Sequence, residues 1–552
     1  MPWIAPVPQV GNPPLYYFLA ALPARFFPPL DVLPQLYAAR LVSLGLFLLT
    51  IWLAWAATAL VVPRGHPLGW MIPAFMAALP SFVDIMTAVN NDVAGIAAFT
   101  LFLYAGIRLI RCGWRWRDAG LLVFAAGLCL LAKRTVFFAP ALIPVVFVFS
   151  WLRGARRRWA WVLAGVVLVG GAVAALRGGD AALWYRRTAQ QETTRVQVMD
   201  APLGQSALRL HLEGRNRTTQ VLQLLPRDVL PAHAGETLTL GAWMWATAPV
   251  EVAVPRLVPV GSRALPPLSG ENSVQVDTRP RFYAWTVRLP DAPVSRAWVQ
   301  FGPAVQAPPE PVDLFVDGAV LVVGDFADGG TPRWAGEDAR EGVWGGVQVE
   351  NLLRNASFER TWVNPRPWMD ALWGRVFGYT GQQFASLALY TARDWKGAVW
   401  YYVSAGEKLF RSFWALFGWG HVLLLGHHPY RGLLALSLFL LLGALAAMWR
   451  LRQHFPWDVG VVGGLAVGIS WGLTLMRGAH HVLSAWVNIP VARYAFPVLL
   501  PLAGVLALGW WQWAWLAGCW LPRVRRWRGA GYVLFLAGLT LWGWASVYAF
   551  YA

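Results

Sequence analysis

Leu130-Leu131-Ala132-Lys133-Arg134-Thr135 interrupts an apolar stretch that otherwise runs from about 118 to 151. As one long helix the stretch would cross a membrane once. As two short ones, at about 118–132 and 135–151, it crosses twice and inverts the sidedness of everything downstream. The placement of arginine favours two. With the break accepted, apolar runs at about 36–62, 68–89, 93–110, 118–132, 135–151, 159–176, 430–449, 458–476, 491–515 and 529–551 give about ten crossings. The loops on one side then hold Arg64; Arg111, Arg115 and Arg117; Arg153 and Arg156 to Arg158; Arg450 and Arg452; and Arg523, Arg525, Arg526 and Arg528, without an acid. By the positive-inside rule that side is cytoplasmic, and residues 1–35 and 178–405 face outside.

Composition agrees with a membrane protein: 57% of the 552 residues are hydrophobic and only 13% charged. The net charge of +18 would suit a nucleic-acid partner if it were evenly spread. It is not. Residues 178–405 carry 22 of the 28 acids and 21 of the 46 bases, so the excess positive charge belongs to the apolar remainder and its loops. No nucleic-acid partner is expected, and without a phosphate loop or dinucleotide fingerprint neither is a nucleotide-sugar donor. The first residues lack a basic region and prolines break the first apolar stretch, which argues against a cleavable signal. Of the three cysteines none falls within 178–405, so no disulfide or Cys-based metal site is expected there.

Within 178–405 the apolar period changes to two. Thr194-Arg195-Val196-Gln197-Val198, Ala207-Leu208-Arg209-Leu210-His211-Leu212, Gln220-Val221-Leu222-Gln223-Leu224 and Thr237-Leu238-Thr239-Leu240-Gly241-Ala242-Trp243 alternate, as does Val312 to Leu321. Eight or nine short strands at about 192–325 predict a jelly-roll-like β-sandwich. The strand Gly235 to Trp243, the closing Asp313 strand and the later Asn351-Leu352-Leu353-Arg354-Asn355-Ala356-Ser357-Phe358-Glu359 resemble extracellular carbohydrate-binding modules, the last as an opening strand. Trp243, Trp245, Trp285 and Trp298 either stack on sugar rings or fill the sandwich core. The sequons at Asn216 and Asn355 do not by themselves establish glycosylation.

Asn12-Pro13-Pro14-Leu15-Tyr16-Tyr17, ahead of a spanning run, resembles the HPPLYY-type segment of polytopic C-superfamily glycosyltransferases. Asn90-Asn91-Asp92 after Pro80-Ser81-Phe82-Val83-Asp84 resembles that family's second exterior loop, and Lys133-Arg134 puts two cations in a short exterior loop. Leu409-Phe410-Arg411-Ser412-Phe413-Trp414-Ala415-Leu416-Phe417-Gly418-Trp419 and Ala492-Arg493-Tyr494-Ala495-Phe496-Pro497 resemble the "SFWxxFGW" and "GRYxFP" segments of a bacterial subgroup, many of them uncharacterised. The resemblance implies transfer of a sugar from a polyprenyl-phosphate carrier to an exterior glycan, lipid or protein, in the inner (plasma) membrane of a bacterium. In that family a further spanning helix, and a loop with an essential acid, precede the Pro-Pro-Leu-Tyr-Tyr segment. Asn12 stands where His or Gln is usual. The expectation is a start placed too late or a truncated gene, with the principal base upstream.

The expected fold is a mainly α-helical polytopic membrane protein with an inserted extracytoplasmic β-sandwich. Its parts are an interfacial segment at 1–35, six helices at 36–177, the exterior region at 178–405, an interfacial helix and loop at 406–429 and four helices at 430–552. Glycosyl transfer needs a carboxylate for the acceptor's proton and cations for the departing phosphate. Asp92 is the catalytic candidate, with helix capping as its plainer role. Asp84 supports it: an acid within an apolar stretch is costly, and eight residues along an ideal helix set the two about 80° apart. Lys133, Arg134, Arg493 and Arg411 are candidates for the lipid phosphate, or for ordinary headgroups. Tyr16, Tyr17, Asn90 and Asn91 would line the substrate cavity. His421, His427, His428, His480 and His481 lack metal-ligand spacing, so metal stays unassigned; no cofactor is required by these residues, and a divalent cation is left open. The alternative is a non-catalytic protein that binds envelope polysaccharide through the sandwich. A transporter is less favoured, because no internal repeat is seen.

Overall fold

A computed structural model of the chain describes residues 13–28, 31–151, 157–187, 193–197, 201–213, 220–260, 262–306, 308–377, 384–418, 420–483, 490–521 and 527–552. Asn12, the Asn216 sequon, Trp419, Arg153, Arg156 and Arg523 to Arg526 lie outside the described residues, as do the side chains of His480 and His481. The helices are α1 (Leu15–Ala24), α2 (Val32–Ala59), α3 (Leu68–Ala78), α4 (Pro80–Thr87), α5 (Asp92–Cys112), α6 (Trp116–Ala132), α7 (Ala139–Trp151), α8 (Arg157–Ala175), α9 (Pro367–Phe377), α10 (Phe384–Arg393), α11 (Trp395–Trp414), α12 (Pro429–Arg450), α13 (Trp457–Arg477), α14 (Leu499–Trp520) and α15 (Arg528–Tyr551). Two compact units result: 1–168 with 404–475 and 489–552, and 169–403 with 476–488.

In the first unit, seven helices among the described residues are long and apolar enough to cross a membrane, or eight if α3 and α4 form one broken span. The sequence suggested ten. Two differences account for most of the gap. The 68–89 run bends by 65° where Pro80 removes a backbone donor. Thr540 donates to the Ala78 carbonyl beside this break (3.1 Å), so a freed acceptor is satisfied within the protein. Helix α6, although it does end at Lys133, has only 17 residues. Helix α5 is buried on nearly every face, in keeping with its Ala- and Gly-rich sequence. Helices α12 and α14 pack through small residues. A Cβ on Gly509 would lie 1.9 Å from the Leu440 carbonyl oxygen, and one on Gly443 2.6 Å from that of Gly509. Trp513 closes this contact by donating to the Phe439 carbonyl at 2.7 Å.

The second unit is built on strands β1 (Leu176–Ala181), β2 (Tyr185–Arg187), β3 (Thr193–Gln197), β4 (Ser206–Leu212), β5 (Gln220–Leu224), β6 (Thr237–Ala246), β7 (Val250–Ala253), β8 (Arg256–Pro259), β9 (Ser273–Val276), β10 (Arg281–Arg288), β11 (Ala297–Phe301), β12 (Val312–Val323), β13 (Arg333–Trp334), β14 (Glu341–Trp344), β15 (Val347–Glu350) and β16 (Thr361–Pro365). A five-stranded sheet, β10-β6-β12-β4-β3, faces a four-stranded one, β2-β5-β11-β8. Their alternate side chains, among them Leu208, Leu210, Leu238, Leu240, Val299, Phe301, Leu314 and Val316, make one core. Register in β12 shifts between Asp317 and Val320, where Gly318 takes φ +51°. Ala319 thereby enters the sandwich core, while Val320 and Val322 turn to the outer face under Trp344 and Val349 of the β13-β14-β15 sheet.

Two features of this unit differ from the expectation. Asn351 to Glu359 is an ordered turn, not a strand. The Asn351 amide accepts from Leu321 (3.0 Å) and donates to Ala319 (2.9 Å), lacing the turn to β12. Helices α9 and α10 and the start of α11 follow, in a part of the exterior region for which no elements were read from the sequence. They fasten to the four-stranded sheet and to this turn: Leu224 of β5 donates to the Tyr390 hydroxyl at 3.0 Å, and Arg354 of the turn forks onto the buried Asp394 at 2.7 and 2.9 Å.

Candidate functional site

Residues 88–91 separate α4 from α5, so Asp84 and Asp92 do not share a helix. The local sequence sets Asp92 firmly. Asn90 accepts from the Asp92 backbone N–H at 2.8 Å and donates to the Ile85 carbonyl at 2.9 Å. Asp92 thus occupies the first turn of α5, where the helix dipole favours a carboxylate.

Lys133, at the extended C-cap of α6, reaches back to it. Its Nζ lies 2.5 Å from Asp92 Oδ1 and donates to Asn91 Oδ1 at 2.8 Å. Gly95 makes room, since a Cβ there would sit 3.1 Å from Lys133 Cβ. Burial pulls the Lys133 ammonium below the ordinary lysine range, and the Asp92 carboxylate opposes that pull. A short 3-10 turn, Ala492–Val498, adds Arg493 and Tyr494. Arg493 donates to the Tyr494 hydroxyl at 3.0 Å, and the Tyr494 ring lies 5.0 Å from the Arg493 guanidinium and 5.7 Å from Lys133 Nζ. Tyr17 joins from α1: burial first, then Asp92 and Tyr16, push its hydroxyl above the usual tyrosine value, so it remains a neutral donor.

The cluster holds two cations against one carboxylate. Among the described residues Asn91 Nδ2 and Arg493 Nε are buried there without a hydrogen-bond partner, as is Thr135 Oγ1 in the turn that follows Lys133. Buried donors left over beside excess positive charge suit an oxyanion. Asp92, Asn91, Lys133 and Arg493 were all legible candidates, drawn from three distant stretches of chain. Tyr494 lay within a quoted segment but carried no assigned role; only the fold shows it against both cations.

Most of the remaining candidates separate from this group. Tyr16 is fully buried and shares a hydrogen bond with Ser43 (2.8 Å), which donates to the Ala88 carbonyl (2.9 Å). It therefore ties α1 to α2 rather than lining a cavity. Asn90 spends its amide on the backbone. Arg134 is half-buried in the turn after Lys133. Arg411 pairs with Glu407 and lies over the Tyr430 ring at 5.3 Å. Asp84 lines a different cavity, with Tyr37, Arg40, Leu41, Leu44, Thr87 and Ala88. In the sandwich Trp245, Trp285 and Trp298 are buried, in favour of the packing role, and only Trp243 is half-exposed. Around the exposed part of that face stand Phe315, Arg209, His211 and Asp313, the last two hydrogen-bonded at 2.6 Å. The Asn355 amide is buried and donates to the Ala182 and Arg360 carbonyls.

No family model matches the chain, and no curated protein does. Solved structures with some likeness include a family 4 carbohydrate-binding module, at 14% identity and TM-score 0.19 over 26% of this chain and 86% of that one. A family 61 module solved with β-1,4-galactotriose gives 15% and 0.20 over 26% and 92%. The xylan-binding CBM22-1 domain of Paenibacillus barcinonensis Xyn10C gives 13% and 0.16 over 25% and 91%.

Proposed function

We propose that this chain is a membrane glycosyltransferase-like protein that draws a sugar from a polyprenyl-phosphate carrier and delivers it to an extracytoplasmic glycan, lipid or protein. The observation that carries this reading is the convergence of Lys133, Arg493, Asn91 and Asp92 in one buried group with more cation than anion and with donors to spare. In the proposed reaction the acceptor hydroxyl attacks the anomeric carbon and the bond from that carbon to the carrier phosphate oxygen breaks. The phosphate leaves with the electron pair. Lys133 and Arg493 meet the charge that grows on it, where low dielectric makes each interaction stronger than in water. Asp92, relieved of part of its pairing as Lys133 turns to phosphate, takes the acceptor proton or orients the group that does.

Transfer of labelled sugar from a panel of polyprenyl-phosphate sugars in membranes tests this. Asp92→Asn and Lys133→Ala are each expected to lower transfer by about 10²-fold or more, as for general acid–base and oxyanion groups. Transfer that survives both substitutions removes this site from the chemistry.

A second reading is a non-catalytic protein that positions envelope polysaccharide. Its support is the outer face of the five-stranded sheet, where half-exposed Phe315 stacks on Trp245 and lies opposite Arg209, with His211 and Asp313 two positions along one way and half-exposed Trp243, opposite Asp317, two positions along the other. An aromatic ring with polar groups at its edge suits a sugar. If no donor yields transfer while the full chain binds oligosaccharide in a manner that Trp243→Ala abolishes, this second reading takes precedence.

A further inference from the structure

Arg40 and Asp84 share a cavity without touching each other. The cavity, about 480 Å³, is lined on one side by Tyr37, Arg40, Leu41 and Leu44 of α2 and on the other by Asp84 and Thr87 of α4, with Ala88. That volume falls within the range of small-molecule sites. Positions 37, 40, 41 and 44 follow the helical i, i+3, i+4, i+7 spacing, so they form one stripe along α2. The stripe is polar at its start and apolar at its end. None of Asp92, Lys133 or Arg493 belongs to this lining.

The charges are unusual. Among the described residues neither Arg40 nor Asp84 has an ion-pair partner within 4.0 Å, and both are exposed at the protein surface. Asp84 lies on the second arm of the broken span and Arg40 nine positions into a 28-residue apolar helix. A helix of that length exceeds the roughly 20 residues a bilayer requires, so its first turns reach the headgroup region. An acid at such depth costs free energy unless something neutralises it, and so does a neighbouring arginine. Two opposite charges that face one cavity and leave a gap between them are complementary to a ligand bearing both signs.

We infer that this cavity binds a zwitterionic aminophospholipid, with the phosphate on Arg40, the ammonium on Asp84 and an acyl chain along Leu41 and Leu44. Arginine suits phosphate through its planar fork, and a carboxylate accepts the donors of a primary ammonium. Tyr37 adds a hydroxyl to the lining, whereas Thr87 donates its own to the Val83 carbonyl at 2.9 Å. The inference does not depend on sugar transfer and concerns a different group of residues.

The test is retention of phosphatidylethanolamine against phosphatidylglycerol by the purified full chain, read by native mass spectrometry after exchange in mixed micelles. Both lipids carry phosphate; only the first carries an amine. The wild-type chain is expected to retain phosphatidylethanolamine about tenfold better. Asp84→Asn removes that preference while phosphatidylglycerol retention stays, which also shows that the variant is folded. Arg40→Gln lowers retention of both lipids. Soluble glycerophosphoethanolamine at equal concentration displaces the lipid poorly if the acyl chain occupies the apolar end of the stripe. Equal retention of the two lipids by the wild type overturns the inference, as does a preference that Asp84→Asn leaves intact. Displacement by the soluble headgroup as readily as by lipid overturns the lipid assignment.

Discussion

Tyr16 and Asp92 show how much a side chain's neighbours determine what it can do. Tyr16 stands in the proline-tyrosine segment that suggested a substrate cavity, yet its hydroxyl is committed to Ser43 in a fully buried site. Tyr16→Phe leaves the ring and removes that bond, and it is expected to cost about 1 kcal/mol, measured as a lowered unfolding midpoint in detergent, with transfer little changed. Asp317 in β12 makes a second residue-scale case. Burial pushes its carboxyl up to about 7, although the Leu203 and Gly318 N–H groups that donate to it pull the other way and the Glu359 charge adds to the rise. A folded-state value raised above the unfolded one means that the folded state holds the proton more tightly. The stabilisation is therefore complete below about pH 4 and declines as pH rises to about 7, beyond which it is flat. Near-UV circular dichroism melts of the full chain at pH 5 and pH 8 are expected to show the lower midpoint at pH 8, and Asp317→Asn to shrink the difference.

At the scale of elements, packing decides where the hydrophobic pattern alone cannot. Helices α12 and α14 are apolar all round, and no hydrophobic drive brings apolar helices together in lipid. What joins them is close approach at Gly443 and Gly509. Gly509→Ala puts a methyl into the Leu440 carbonyl and is expected to destabilise by roughly 1–3 kcal/mol, read as loss of monodisperse protein on heating. An unchanged midpoint would show that the helices separate more easily than this contact implies. Strands were the more legible elements: Ala207 to Leu212, Gln220 to Leu224 and Thr237 to Trp243 alternate, and each is a strand; β4 and β6 turn their leucines into the sandwich core, whereas β5 turns Val221 into it and buries Leu222 and Leu224 on its other face. The Asn351 segment misled because its apolar residues belong to a turn whose order comes from the Asn351 and Asn355 amides. Helices α9, α10 and the first half of α11 escaped notice because they are amphipathic and too polar to stand out by hydropathy, whereas the end of α11 falls within the interfacial helix expected from 406.

At the scale of the whole molecule, the break at Lys133 was legible because two adjacent cations end an apolar run, and α6 does stop there. The number of crossings was less so. Proline at 80 and a 17-residue α6 divide apolar runs in ways that hydropathy does not register. Likewise the segment from Met476 on, which includes the last two residues of the apolar helix α13, groups with the β-containing unit. The Asp92, Lys133 and Arg493 group was legible only as candidates, since charge and position named them but no spacing rule joins residues 92, 133 and 493. That Arg40 and Asp84 line one cavity was invisible for the same reason.

The account rests on the two cations beside Asp92 holding a lipid phosphate. The most direct test is equilibrium binding of a polyprenyl phosphate to the purified full chain in nanodiscs, comparing the wild type with the Lys133→Ala, Arg493→Ala double variant. The expected result is saturable binding that the double variant weakens by about tenfold or more, equivalent to about 1.4 kcal/mol or more. Equal binding by both proteins, with the variant's unfolding midpoint unchanged, would contradict it.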